Sequence, residues 1–318
     1  NLVNDKLNKV ESLIALKLES KVELIQKMTN HHLNSGGKRL RALLTLGSAK
    51  LAGYELGDRD INLASCVELI HSATLLHDDV IDESSLRRGV KTTNSIWGNQ
   101  SSILVGDYLL SRCFEIMVHD GDLEVLQLLS STSAKIAQGE VLQLQHKGEA
   151  DLLEETYIDI INLKTAALFS AATKTGACIS RSNEKEKKAL ESYGRNLGLA
   201  FQIADDALDY YAKEKFFGKE IGKDFYEGKV TLPLITIFQK GNEEEKEFLT
   251  EIMKKDKRTE EDFSETLALI YKYKAVETSL KKAEYFVNVS YDALAIFPDS
   301  EDKRILQSLT SFSLNRSF

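Results

Sequence analysis

The chain has 318 residues, 42% of them hydrophobic and 28% charged, with a formal net charge of −8. That balance belongs to a globular protein, and the length suits one large domain or two ordinary ones. The negative charge argues against a nucleic-acid surface, which needs a basic face. No apolar run reaches the ~18 residues of a spanning helix. The opening stretch NLVNDKLNKVESLIALKLES is charged and periodic, unlike a signal sequence. Cys66, Cys113 and Cys178 are far apart and form no CxxC pair. They read as reduced, buried thiols, and the expectation is a cytoplasmic protein with no membrane anchor.

Only Pro233 and Pro298 interrupt the backbone donors, so many long helices are permitted. Taken in order, the apolar spacing is helical. A break is expected at SGGK, then GGKRLR (36–41) places Lys38 and Arg41 at i and i+3. A second break falls at AGYELGDRD. The following VELIHSATLLHDDVID carries Val67, Ile70, Thr74 and Ile81 near one helical stripe. After the arginines of SLRRG come GDYLLSRCFEIMVHD, a break at VHDGD, and the periodic LEVLQLLSSTSAKIAQGEVLQLQ. LKTAALF, FQIADDALDYY and the glycine-punctuated GKEIGKDFYEGKVTLP follow. Beyond a break at QKGNEEE the chain is helical to LIYKYKAVETSLKKAEYFVNVSYDALAIF. Alternating β-branched runs are few and no linker is visible. The expected fold is all-α: one large helical bundle with a central cavity, a single domain over 1–318.

Asp78, Asp79 and Asp82 share one helix face at i, i+3 and i+4 spacing. A salt-bridged surface helix would mix signs there. Three carboxylates on one face repel unless a cation neutralises them, and Mg²⁺ is held by a few carboxylates together with substrate phosphates. One such cluster alone reads equally well as a solvated acidic face. The pattern recurs, however, as Asp205, Asp206 and Asp209 among Phe201, Ile203, Ala204 and Leu208. The repetition is far more specific than either copy.

Basic groups accompany the acids. Lys38 and Arg41 follow Gly36 and Gly37, whose backbone can approach an anion. His71 lies two turns before Asp78 on the same face. Arg87 and Arg88 follow Asp82. Arginine forks match phosphate oxygens, and ion pairing with Asp82 or Glu83 is the alternative for this pair. Lys164, beside Thr165, sits in an apolar segment and needs a partner, which an anionic ligand would supply. Lys219, Lys223, Asp224 and Lys229 populate the glycine-punctuated stretch. Acids for metal and bases for phosphate together imply two phosphorylated substrates.

In order and spacing, GGKRLRA, LIHSATLLHDDVIDESSLRRG, LVGDYLLSRCF, LKTAALF, GLAFQIADDALDYY and GKEIGKDFYEGKVTLPLI resemble the trans-isoprenyl diphosphate synthases. The resemblance implies head-to-tail condensation of isopentenyl diphosphate with an allylic diphosphate, farnesyl diphosphate being the expected starter. It implies about three Mg²⁺, with Asp78 and Asp82 holding two and Asp205 a third, supported by Asp79, Asp206 and Asp209. Arg87, Lys164, Lys229 and Lys219 would face the allylic diphosphate. Lys38, Arg41, His71 and Arg88 would face isopentenyl diphosphate, and Thr165 and Gln202 would lie near the reacting carbons. A homodimer is implied as well.

A growing chain must pass away from Asp78, and one helical turn of ~5.4 Å is about one isoprene unit long. The gate positions are then Ala73 and Thr74, both small here, whereas short-chain members of the family carry aromatic residues at that place. A long product is expected, with Phe114, Ile116 and Met117, or the helix Leu123–Leu144, as floor candidates. The wording of GDYLLSRCFEIM and SAKIAQGEVLQLQ is similar to bacterial octaprenyl diphosphate synthases, which supply a ubiquinone or menaquinone side chain. Geranylgeranyl and heptaprenyl to decaprenyl products stay open. So do a terpene cyclase and a silent partner subunit, both disfavoured by two complete aspartate motifs. An apolar product suggests transient membrane contact on release.

Overall fold

Period-3.6 apolar spacing and scarce proline give helices almost throughout the computed structural model, which describes residues 2–55, 57–211 and 221–314. In order these are α1 (Leu2–Lys17), α2 (Glu23–Asn34), α3 (Leu40–Leu51), α4 (Arg59–Ile81), α5 (Thr93–Trp97), α6 (Asn99–Asp120) and α7 (Leu123–Gln145). Then come α8 (Glu154–Ile161), a π-helical turn (Asn162–Ala166), α9 (Ala167–Ile179), α10 (Glu184–Leu208) and α11 (Lys223–Glu227). The chain closes with α12 (Leu232–Lys240), α13 (Glu243–Met253), α14 (Glu260–Lys272), α15 (Ala275–Ala293) and α16 (Glu301–Leu314). The fold class is all-α, as the periodicity predicts. The four expected breaks fall between helices. At VHDGD, Gly121 adopts the left-handed conformation that ends α6. At QKGNEEE, Asn242 and Glu245 form a capping box opening α13.

One departure is a short antiparallel ribbon, β1 (Leu86–Arg87) and β2 (Val90–Lys91). Its two central residues, Arg88 and Gly89, have φ of 53° and 77°. Both positive values define the tight hairpin turn whose twist matches its strands. The arginines following the first aspartate motif therefore sit on a hairpin.

The chain forms two compact units. The first comprises 1–133, 168–194 and 296–306. Its axis is α4, buried over most of its length, with Leu63, Cys66, Leu69, Ile70, Ala73 and Leu76 inside. Ile81 lies outside this core because α4 ends there. α6 packs close along α4. The Cys66 and Cys113 sulfurs reach each other's backbone carbonyls at 3.7 and 3.4 Å, and Gly106 leaves room for the His77 ring. All three cysteines are free and buried.

The second unit comprises 134–167, 195–295 and 307–318. Its core gathers Tyr157, Ile161, Ile203, Ala207, Tyr210, Phe225, Ile235, Ile252 and Val276. Gly139 of α7 meets the π-helical turn so closely that a Cβ would stand 2.6 Å from the Lys164 backbone nitrogen. That approach fixes the turn, and π-turns often occur where a side chain is re-aimed at a functional site. Here the re-aimed residues are Lys164 and Thr165.

Candidate active site

In the first unit, Asp78 and Asp79 occupy the last turn of α4 and Asp82 is its C-cap, its N–H bonded to the Asp78 carbonyl at 2.8 Å. No basic residue lies in that turn. The end of a helix carries partial negative charge, so three carboxylates there intensify a negative field. Asp79 turns inward, 3% exposed, and receives the Arg87 guanidinium through both nitrogens at 2.8–3.2 Å. The expected alternatives for Arg87 were phosphate or Asp82 and Glu83. The structure gives it Asp79, because the hairpin swings the arginine back over the helix end. Asn94 secures the same place by donating to the carbonyls of Asp79 and Ser84. Asp78 and Asp82 are half-buried.

A cationic cluster lies in the same unit. Arg41 stacks over the Phe169 ring at 4.7 Å, and its Nε is buried without a hydrogen-bond partner. Burial, opposed by Glu68 and reinforced by Arg88, pushes the Arg41 guanidinium down to about 10. Arg88 donates to the Gly36 carbonyl, joining the hairpin to the GGKRLR segment. Burial, then the charges of Arg41, Arg87, His32 and Arg88, hold the His71 imidazole well below its ordinary value. His32, absent from the sequence reading, is pushed down to about 4 by burial and by Arg87, Arg39, His31 and Arg88. Lys38 is exposed beside this cluster in sequence. A buried guanidinium nitrogen without a partner and imidazoles held neutral by burial and by nearby cations make this a locally positive, dehydrated patch with chemistry suited to an anion.

Of the chain-length positions, Ala73 is buried and Thr74 half-buried, its hydroxyl donating to the His71 carbonyl at 2.8 Å. Ile116 and Met117 are buried on α6, but Phe114 is 49% exposed.

In the second unit the second motif stands at the end of α10, again without a basic residue in the last turn. Asp205 is exposed, Asp206 is buried, and Asp209 lies just beyond the helix. A relay runs from Thr165 Oγ1, donating to Gln202 Oε1 at 2.8 Å, to Gln202 Nε2, donating to Asp206 Oδ1 at 2.7 Å. The Tyr157 hydroxyl donates to the other Asp206 oxygen at 2.6 Å. Asp209 Oδ2 accepts the Asp224 N–H at 2.9 Å and so anchors α11. Burial, against the Tyr157 and Gln202 hydrogen bonds and helped by Asp205 and Asp209, pushes the Asp206 carboxyl up to about 7. Burial, then Asp206, Asp209 and Asp205 against Lys229, push Asp224 up as well. Lys164 pairs with Glu140 at 2.6 Å and donates to Gln143 at 2.9 Å, while Lys229 pairs with Glu227 at 2.7 Å. Lys164, Gln202, Asp206, Asp224, Lys229 and Tyr157 line one cavity of about 60 Å³. Lys219 lies outside the described residues.

Sequence reasoning found both motifs and their lysines but missed Tyr157, Glu140 and Gln143. A tyrosine and two ordinary helix residues give no signal until the fold brings them to Asp206 and Lys164. Among the described residues no three His, Cys, Asp or Glu side chains converge as a finished metal cage. Mg²⁺ needs none, since it keeps waters and takes only one or two carboxylates plus phosphates. Burial first, and then the neighbouring carboxylates, raise Asp206 and Asp224; a divalent cation would relieve the carboxylate repulsion, so the donor set fits one.

Comparison with known proteins agrees with this chemistry. The polyprenyl synthetase family model matches residues 22–270, and the chain belongs to that family. It is a prenyltransferase, a trans-prenyl diphosphate synthase. It is similar to octaprenyl diphosphate synthase of Haemophilus influenzae, 37% identical over 317 residues, covering 100% of this chain and 96% of that one. It is 32% identical to heptaprenyl diphosphate synthase component 2 of Bacillus subtilis, over 100% of this chain and 90% of the relative. The solved polyprenyl synthase of Caulobacter crescentus, complexed with calcium and isoprenyl diphosphate, is 41% identical with a TM-score of 0.95, covering 100% and 96% of the two chains.

The histidines give a test. A folded-state pKa below the unfolded value of about 6.5 means the unfolded chain binds more protons. Stability is therefore full above pH 6.5 and falls as pH drops towards the folded value, about 4 for His32. In ring-proton NMR titrations of the ligand-free protein, the His32 and His71 signals should stay neutral at pH 5.5. Titration of both near 6.5 would contradict the crowded-cation geometry.

Proposed function

We propose that this chain is a long-chain trans-polyprenyl diphosphate synthase that extends an allylic diphosphate, farnesyl diphosphate as starter, with isopentenyl diphosphate to octaprenyl diphosphate for a quinone side chain. The observation that carries the reading is that the chain holds two aspartate clusters at helix ends with no basic residue in the last turn, and a cationic cluster whose Arg41 Nε lacks a partner. A lyase acting on one diphosphate needs no second anion grip, so this cluster also favours a two-substrate transferase over a cyclase. In this reading residues 1–318 work as one catalytic domain.

Asp78, Asp82 and Asp205 would hold about three Mg²⁺. When bound, Mg²⁺ supplies positive charge that stabilises the diphosphate leaving group. Asp79 holds Arg87 at the edge of the first motif, where the guanidinium meets the allylic diphosphate. Lys164, Lys229 and Lys219 add charge toward the same group, and Glu140, Gln143 and Glu227 hold the first two lysines in place. Lys38, Arg41, His71 and Arg88 bind isopentenyl diphosphate, with the neutral imidazole of His71 donating one hydrogen bond. Thr165 and Gln202 direct their oxygens toward the allylic carbon as positive charge develops. Asp206 orients Gln202, and Asp209 holds α11. The double bond attacks the allylic carbon, and the departing diphosphate removes the proton.

Asp78→Ala and Asp205→Ala should each lower turnover by orders of magnitude at saturating Mg²⁺. The double variant should be scarcely worse than either single one, because residues acting on one group are not additive. Independent, multiplying losses would show that the clusters serve different groups.

Small residues at Ala73 and Thr74 support a long product, and buried Ile116 and Met117 are the proposed floor. Phe114, facing outward, is not. Mass spectrometry of products made from farnesyl diphosphate, isopentenyl diphosphate and Mg²⁺ should show octaprenyl diphosphate. Ala73→Tyr should give shorter chains at retained turnover. An unchanged length would remove Ala73 from the path.

A homodimer completes the reading. Leu104, Phe114 and Val118 are exposed apolar residues on one side of α6, 67%, 49% and 68% exposed. Light scattering of the purified chain should give twice the monomer mass, and Leu104→Glu with Val118→Glu should halve it. A monomeric wild type would instead point to a second subunit.

A further inference from the structure

The cationic cluster raises a question that its own residues do not answer: what holds the GGKRLR turn in place? α3 begins without a cap of its own. Its N-cap residue, Arg39, makes no side-chain capping bond and sits in the left-handed region at φ 47° and ψ 39°. A bulky residue there is strained and persists only where its surroundings fix it. The first turn of a helix also leaves orphan N–H groups that need acceptors.

The acceptor comes from α4. Glu68, 3% exposed, accepts the Ala42 N–H through Oε1 at 3.0 Å. Its Oε2 lies 3.9 Å from Arg39 Nη1, and Arg39 Nε reaches Glu11 at 3.4 Å. Arg41 is the residue just before Ala42, so the peptide that carries it is fixed by this bond. Its guanidinium then stacks on Phe169 with Nε left to a ligand. Glu68 is also the one acid whose charge supports the charged form of Arg41, against burial and Arg88. On α4 itself, Glu68 stands one turn before His71, so a single helix sets both the histidine and the arginine turn.

We propose that Glu68 is a positioning residue for the isopentenyl diphosphate grip. Its carboxylate caps α3 from outside the helix, locks the strained Arg39 turn, and thereby presents Arg41 to the diphosphate without touching substrate. This rests on the reading of Lys38, Arg41, His71 and Arg88 as that subsite.

The test is steady-state kinetics with each substrate varied in turn, the other and Mg²⁺ being saturating. Glu68→Ala should raise KM for isopentenyl diphosphate by about tenfold or more, leaving KM for the allylic substrate within about threefold. Glu68→Gln keeps an oxygen for the Ala42 N–H and should restore wild-type KM to within about threefold. Glu68→Asp keeps the charge but falls short of Ala42, and should raise the same KM by about threefold to tenfold. The Gln and Asp variants carry the test if the alanine variant does not fold. Equal rises in both KM values, an aspartate variant like wild type, or a glutamine variant as impaired as the aspartate one would each overturn the inference. Wild-type protein that failed to consume isopentenyl diphosphate would overturn the functional reading and this inference with it. Wild-type turnover with unmoved KM values in the Asp and Ala variants would overturn this inference alone.

Discussion

Each aspartate motif stands at the carbonyl end of a long helix with no basic residue in its last turn, and much of both units is arranged around that repulsion. Placing like charges at the negative pole of a helix is unfavourable on two counts, mutual repulsion and the macrodipole. The protein spends part of each motif on containing it. Asp79 is turned inward onto Arg87, and Asp206 is buried under hydrogen bonds from Tyr157 and Gln202. Asp209 is used to anchor α11. The residual negative field is what a divalent cation would neutralise.

The cations are handled by the same logic. Lys164, Lys229 and Arg87 each carry an acidic partner at 2.6–2.8 Å. Long flexible side chains are thus held in one geometry, and such preorganisation lowers the ordering cost of any ligand they take. Arg41 follows a different route. It is fixed by stacking and by the helix turn beneath it, and its Nε is left without a partner.

Backbone strain follows the same map. Of the five non-glycine residues with positive φ among the described residues, Arg39, Glu83 and Arg88 lie in the GGKRLR segment, just after the first aspartate motif, and in the hairpin. The π-helical turn at Asn162–Ala166 does the equivalent in the second unit, pressed into place by Gly139. Regular helices supply the frame, and the departures from regular geometry fall in the segments proposed to carry the chemistry.

The sequence by itself determined the all-α class, the helix breaks, the two aspartate motifs and the basic segments that go with them. These are local properties: period, capping residues, and like charges too close to be accidental. Tertiary structure alone decided which aspartate faces inward, because that depends on where the RRG hairpin swings Arg87. It alone supplied Tyr157, Glu140, Gln143 and Glu68, ordinary residues whose roles exist only once distant segments pack against Asp206, Lys164 and Ala42. It also left Phe114 exposed, while Ile116 and Met117 on the same helix are buried. A side chain's type is written locally, but its partner is fixed by packing over long sequence separations.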